Sequence, residues 1–244
     1  RRPSSSAKDR AARGRWSAAT FLGALRGHVV VMVDTTASHP VLLDLDGTLV
    51  DSVFHHVLAW DGALSAYGAA VPLWRVHEAI GMGGERLVPH LLGRVVDDVD
   101  ELKDDHEERF LALADGLRAT DGARDLLDDL AARGVPHVVA TSATGKVAEV
   151  LLQALGRSDL PTVDADAGGS AKPAPDLLLA ACESGGWEPT QATLVGDSPW
   201  DAEAASRIGM RAVAVRTGGF GDGRLLDAGA RAVVDAARAL VGRL

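Results

Sequence analysis

Two aspartates one residue apart close an apolar run in Val41-Leu42-Leu43-Asp44-Leu45-Asp46-Gly47-Thr48-Leu49-Val50-Asp51-Ser52. A buried strand that stops at acidic residues presents them at the carboxyl edge of a sheet, where open α/β proteins keep their ligands. Alternate residues of a strand share a face, so Asp44 and Asp46 start on one side, and a turn at Gly47 aims both at one site. Two close carboxylates repel unless a cation lies between them or one stays protonated. Magnesium, which prefers hard oxygen ligands, suits such a place.

Three later segments carry polar groups at comparable places. A strand ending at Thr141-Ser142 offers hydroxyls and amides at the start of the next helix. Such groups can hold a phosphate, and an ordinary turn or helix cap uses the same residue types. Gly168–Asp176 presents Lys172 on a proline-framed loop; taken by itself it reads as a surface lysine. A strand ending at Gly196-Asp197-Ser198-Pro199-Trp200-Asp201 adds a second acidic cluster, with a helix N-cap at Asp197 or Ser198 as the plain alternative. Each segment falls at the carboxyl end of a predicted strand or in the loop beyond, so a doubly wound sheet brings all of them to one crevice. The charges complement one another: carboxylates call for a divalent cation, and a phosphate calls for Lys172, amides and hydroxyls.

The elements that must position these groups alternate. Strands are expected at Val41–Asp44, Pro136–Thr141, Thr162–Asp164, Ala192–Asp197, Ala212–Val215 and Ala232–Val234. Helices are expected between them at Gly122–Arg133, Lys146–Leu155, Pro175–Ser184, Trp200–Ile208 and Arg224–Ala228, with a closing helix over Ala236–Leu244. This rhythm predicts an α/β fold with a doubly wound, mostly parallel sheet. No strand pattern occurs between Asp51 and Ala119. Helices are predicted there at Ser52–Tyr67, Pro72–Ile80, Glu85–Leu92 and Asp97–Ala114, forming a small all-helical unit. In the first, Ser52 can cap and Val53, Val57, Leu58 and Leu64 share a side; in the last, Leu102, Phe110, Leu111 and Leu113 form the buried side. The expected division is an N-terminal extension over 1–37, a catalytic core over 38–52 and 119–244, and a helical cap over 53–118.

Composition narrows the partners. A chain of 244 residues, 47% hydrophobic, can build one sizeable core and a smaller unit. A net charge of -9 leaves no broad basic face for nucleic acid. The single cysteine, Cys182, excludes an internal disulfide and fits a reducing, cytoplasmic setting. No apolar run approaches the roughly 20 residues of a membrane span. Arg1–Arg26 is rich in Arg, Ser and Ala, as in a targeting peptide, but Met32 stands twelve residues before Asp44. Residues 1–31 are therefore expected to reflect a translation start placed too far upstream or a cloning addition.

The series Asp-x-Asp-Gly-Thr (Asp44, Asp46, Gly47, Thr48), Thr141, Lys172 and Gly-Asp-Ser-x-x-Asp (Gly196, Asp197, Ser198, Asp201) resembles the haloacid dehalogenase-like hydrolases over about residues 41–244. The resemblance implies roles. Asp44 is the expected nucleophile toward phosphorus, and Asp46 the acid that protonates the leaving oxygen and then the base toward water. Magnesium would be held by Asp44, the Asp46 backbone carbonyl and Asp197, with Asp201 in support. Thr141 and Lys172 would bind phosphoryl oxygens, assisted by Thr48 and Ser142. An acid at Asp46 points to phosphoryl rather than dehalogenase chemistry.

The β-phosphoglucomutase branch has a histidine that falls at His56 and a similar Ala59-Trp60 pair. That branch typically has Glu-Asp at Gly196-Asp197 and no acid at Asp201. The implied activity is a magnesium-dependent phosphatase acting on a small phosphorylated metabolite, of phosphoglycolate or sugar phosphate type. A phosphosugar mutase is the alternative, and a non-catalytic phospho-ligand binder the alternative from another class. The chain is expected to act as a monomer or homodimer.

In the cap, the Gly81–Arg86 loop is the expected substrate contact, through Arg86, and His56 is expected beside substrate near Asp46. Hinges are expected near Val50–Val53 and Leu117–Thr120. Trp60, Trp74, Trp187 and Trp200 read as packing residues, and the acidic run Asp97–Glu108 as a solvated helix face.

Overall fold

The computed structural model describes residues 39–143, 145–164 and 169–244. The expected N-terminal extension, 1–37, and Gly168 at the head of the lysine loop lie outside the described residues. Among the described residues, six short strands form one parallel sheet in the order β3-β2-β1-β4-β5-β6. They are β1 (Val41–Leu43), β2 (His137–Ala140), β3 (Thr162–Val163), β4 (Thr193–Gly196), β5 (Arg211–Val215) and β6 (Ala232–Val234). Their Val, Leu and Ala runs bury both faces, as a sheet covered on two sides requires. In β1, Val41 and Leu43 enter one core and Leu42 the other. The first core is closed by Leu126, Leu127 and Leu130 of α5 (Ala123–Ala132) and by Leu151 and Leu155 of α6 (Gly145–Leu155). The second is closed by α7 (Asp176–Gly185), α8 (Pro199–Arg207) and α9 (Asp222–Asp227).

Four helices lie between β1 and α5: α1 (Val53–Ala66), α2 (Leu73–Ala79), α3 (Gly84–Leu92) and α4 (Val99–Ala112). They share a separate apolar core that includes Val57, Trp60, Leu64, Val76, Leu87 and Leu102. Phe110 of α4 reaches past it into the core around Leu49 and Val50. The chain leaves and re-enters the sheet layer through two adjacent segments. Asp51 donates its amide to the Arg118 carbonyl, and Thr120 donates to that of Leu49, each at 2.9 Å. On the far side, His77 of α2 lies 2.8 Å from the Gly218 carbonyl, and Glu78 pairs with Arg224 at 2.5 Å.

Four local expectations are corrected. The closing helix reduces to a single 3-10 turn over Ala237–Leu240, after which the chain turns through Gly242 at φ 72°. Leu58 and Leu113 point to solvent, so the buried sides of α1 and α4 are narrower than expected. Trp74 is 63% exposed and packs little. Ser52 makes no helix-capping bond, because its hydroxyl is turned toward Asp46. Among the described residues, no helix is long and apolar enough to cross a membrane.

Candidate active site

β1 lies between β2 and β4, where the chain changes direction of winding, and its carboxyl end is the expected ligand crevice. Asp44 continues the ladder by donating its amide to the Val195 carbonyl at 2.9 Å. A tight turn follows, with Gly47 at φ 72° and its amide bonded to the Val50 carbonyl. Only glycine fits there. Its φ is left-handed, and a Cβ would come 2.2 Å from Asp197 Oδ2. The turn points Asp46 toward α1, where its Oδ1 accepts from Ser52 Oγ at 2.6 Å and lies 2.9 Å from His56 Nε2.

Lys172 is 3% exposed, yet its Nζ lies 2.5 Å from Asp44 Oδ1 and 2.6 Å from Asp201 Oδ1. The surface reading of this lysine is therefore corrected: two carboxylates compensate its burial. Its pKa is held above the usual lysine range, because the charges of Asp201 and Asp44 outweigh the opposing effect of burial. The Asp201 contact is an ion pair without hydrogen-bond alignment, since Asp201 Oδ1 has no hydrogen-bond partner. Asp201 Oδ2 instead accepts from Ser198 and completes a capping box at the start of α8. The capping and acidic-cluster readings of this segment are thus both realised.

Asp197 at the end of β4 is 3% exposed, and Thr48 Oγ1 donates to it at 3.3 Å. Among the described residues no lysine or arginine pairs with it. Burial raises its pKa well above the carboxylate range, and the charges of Asp44 and Asp201 raise it further. Burial also pushes Asp44 up to about 7, against the pull of Lys172. At Asp46 burial acts upward too, but the charge and hydrogen bond of His56, with Ser52, hold the group below the usual range. Carboxylate oxygens of Asp44, Asp197 and Asp201 lie within 4.8 Å of one another. An oxygen-only set with excess negative charge and one uncompensated buried carboxylate fits a hard divalent cation.

Above these groups is a cavity of about 160 Å³. Asp44, Asp46, Lys172 and Asp197 line it from the sheet, and His56, Met82, Gly83, Lys103 and His106 line it from the helices. Ser142 lines it as well. Thr141 is fully buried and its hydroxyl accepts from the Ala143 amide at 3.0 Å, which shapes the turn around Ser142. Thr48 lies beneath the carboxylates, its one hydroxyl proton shared between Asp197 and Asp44, whose Oδ2 is 3.2 Å away. Arg86 is exposed on α3 and does not line the cavity; the glycines of its loop do. Both ring nitrogens of His56 are engaged within the protein, so His56 supports Asp46 and has no nitrogen free for substrate.

The model of the haloacid dehalogenase-like hydrolase family matches residues 41–209, which contain every aspartate of this site. The chain belongs to the haloacid dehalogenase-like hydrolases. This hydrolase is 36% identical to the phosphoglycolate phosphatase of Rhodospirillum rubrum, over 80% of the chain and 86% of that protein. It is 31% identical to the fructose-1-phosphate phosphatase of Escherichia coli, over 72% of the chain and 95% of that protein. The crystal structure of a hydrolase from Pseudomonas syringae superposes with a TM-score of 0.80 at 33% identity, covering 83% of this chain and 95% of that one.

Sequence reading missed three residues of the hydrolase site. Ser52 reads as a helix cap, and its position six residues after Asp46 gives no sign that the intervening turn folds it back. Lys103 and His106 sit in the acidic run read as solvated. Their three-residue spacing does put them on one helix face. Nothing in that spacing says that the face looks into the cavity.

Proposed function

We propose that this hydrolase is a phosphatase, dependent on magnesium, that cleaves a small phosphorylated metabolite of phosphoglycolate or sugar phosphate type through an aspartyl-phosphate. The observation that carries the reading is the placement of Asp44. It is a buried carboxylate at the floor of a small cavity, beside a buried ammonium and two further carboxylates. Magnesium would be held by Asp44, the Asp46 backbone carbonyl and Asp197, with Asp201 in support. The ion supplies charge neutralisation that lets an anionic carboxylate approach an anionic phosphate.

In the first step an Asp44 oxygen forms a bond to phosphorus and the bond from phosphorus to the ester oxygen breaks. Asp46, ionised in the free site, takes up the proton of the monoanionic ester as it binds and gives it to that oxygen, and the alcohol departs. In the second step Asp46 takes a proton from water, whose oxygen attacks phosphorus and releases phosphate and free Asp44. Lys172 and the amides around Ser142 hold the phosphoryl oxygens. The four helices act as the cap, excluding water from the cavity. A cavity of about 160 Å³ supports a leaving group of metabolite size. The relatives above 30% identity bear phosphatase names, which supports hydrolysis over mutase chemistry. The lone, buried Cys182 agrees with a cytoplasmic setting.

The test is phosphate release across a panel containing glycolate 2-phosphate, hexose 1- and 6-phosphates and nucleoside monophosphates. Release should require magnesium and vanish in Asp44→Asn. If wild type and Asp44→Asn release phosphate equally slowly from every member, the reading fails.

A further inference from the structure

His106 takes no part in the chemistry above, yet it lies against the groups that do. It is partly buried in α4, and its Nε2 is 3.0 Å from His56 Nδ1. His56 Nε2 in turn is 2.9 Å from Asp46 Oδ1. A continuous line of hydrogen bonds therefore runs from Asp46 through α1 to α4.

The rings are fixed by their neighbours. His56 and Trp60 are four residues apart on α1, and His106 and Phe110 four apart on α4, so each pair shares a helix face. The pairs interleave: Trp60 stacks on His106 at 4.2 Å and His56 on Phe110 at 4.0 Å, with interplanar angles of 17° and 13°. This packing holds the ring planes but leaves each imidazole free to turn over within its plane. The His56–His106 bond removes that freedom for His56. If His56 is neutral and donates Nε2–H to Asp46, its Nδ1 must accept, and His106 donates. If His56 is protonated, both its nitrogens donate and His106 accepts. In either state His106 keeps Nε2 of His56 directed at Asp46.

We propose that His106 is a positioning residue for the general acid, acting on Asp46 through His56. The role rests on the phosphatase reading, because it concerns protonation of the ester oxygen that Asp46 carries out. His56 and His106 both belong to the four-helix unit, so packing of α4 on α1 fixes the histidine pair within that unit, and the His56–Asp46 contact carries its orientation to the acid.

The contrast between leaving groups tests it. p-Nitrophenolate departs with little help from an acid, whereas an alkoxide needs a proton in the transition state. His106→Phe keeps the stack and removes the nitrogen; His106→Gln places an amide near the Nε2 position. His106→Phe should lower kcat about tenfold for the alkyl phosphate turned over fastest in the panel, with KM within about twofold. For p-nitrophenyl phosphate kcat should stay within about threefold, and His106→Gln should recover most of the alkyl rate. Equal losses on both esters, or none on either, would overturn the role. If the phenylalanine variant does not fold, His106→Gln against the shorter His106→Asn gives the same contrast.

A crystal structure of His106→Phe supplies a readout independent of turnover. The His56 ring should rotate away from Asp46. An unchanged contact between them refutes the proposal even if no substrate is found. Failure of wild type to hydrolyse any ester would instead count against the phosphatase reading alone.

Discussion

Replacing Asp197 with Asn should stabilise the metal-free protein while abolishing its response to magnesium. The carboxylate of Asp197 is 3% exposed, has no cationic partner among the described residues, and accepts one long hydrogen bond from Thr48. At an effective dielectric constant of about 20, two like charges 4.8 Å apart repel by about 3.5 kcal/mol. Asp197 faces two such neighbours, Asp44 and Asp201, and Lys172 opposes them with one attraction of similar order. A net repulsion of about 3 kcal/mol results, and partial protonation and relaxation lower the expected gain to about 1–3 kcal/mol.

For a domain of this size that gain corresponds to a rise in Tm of roughly 3–10 °C. The gain depends on pH with a defined sign. The folded-state pKa of Asp197 is raised, so its favourable contribution is complete below the unfolded value of 3.8 and is lost as pH rises through the folded pKa. Wild type should therefore fall progressively below Asp197→Asn as pH increases, with the two curves meeting below about pH 4. The assay is thermal unfolding in chelator from about pH 4 to 8, repeated with saturating magnesium. Added magnesium should raise the Tm of wild type well above its metal-free value and leave that of Asp197→Asn nearly unchanged. If Asp197→Asn is less stable than wild type in chelator at about pH 8, or gains as much from magnesium, the electrostatic account is wrong.

Three further outcomes are expected. Gly218→Ala would bring a Cβ 2.0 Å from Asp197 Oδ2 without a backbone penalty, so kcat/KM should fall about a hundredfold or more while the secondary structure by circular dichroism is kept. Burial, with the adjacent His56, holds His106 well below 6.5, so its neutral form is built into the fold. Metal-free stability, from denaturant titrations, should fall with acidification below about pH 6.5 by up to about 1.4 kcal/mol per pH unit, and His106→Phe should flatten this slope. Arg86→Ala should leave kcat/KM within about twofold on the whole panel, because Arg86 is exposed and does not line the cavity.

The elements and the acidic motifs were legible along the chain because both are local. Runs such as Val41–Leu43 and Thr193–Gly196 announce strands by composition, and carboxylates at their ends have one crevice available in a doubly wound sheet. Asp44, Asp46, Lys172 and Asp197 could thus be grouped without coordinates. The partners of those groups were not legible, because each depends on which side of an element faces which neighbour. Ser52 reads as a cap until the Gly47 turn brings it to Asp46. Arg86 and Gly83 are three residues apart, yet one turns to solvent and the other to the cavity. His106, 50 residues from His56 in sequence, meets it only when α4 packs on α1. Residue types and spacing decided the reaction class. Tertiary packing alone decided how the acid and the lysine are held, since a helix pattern specifies its apolar stripe but not the rotation of each polar side chain beside it.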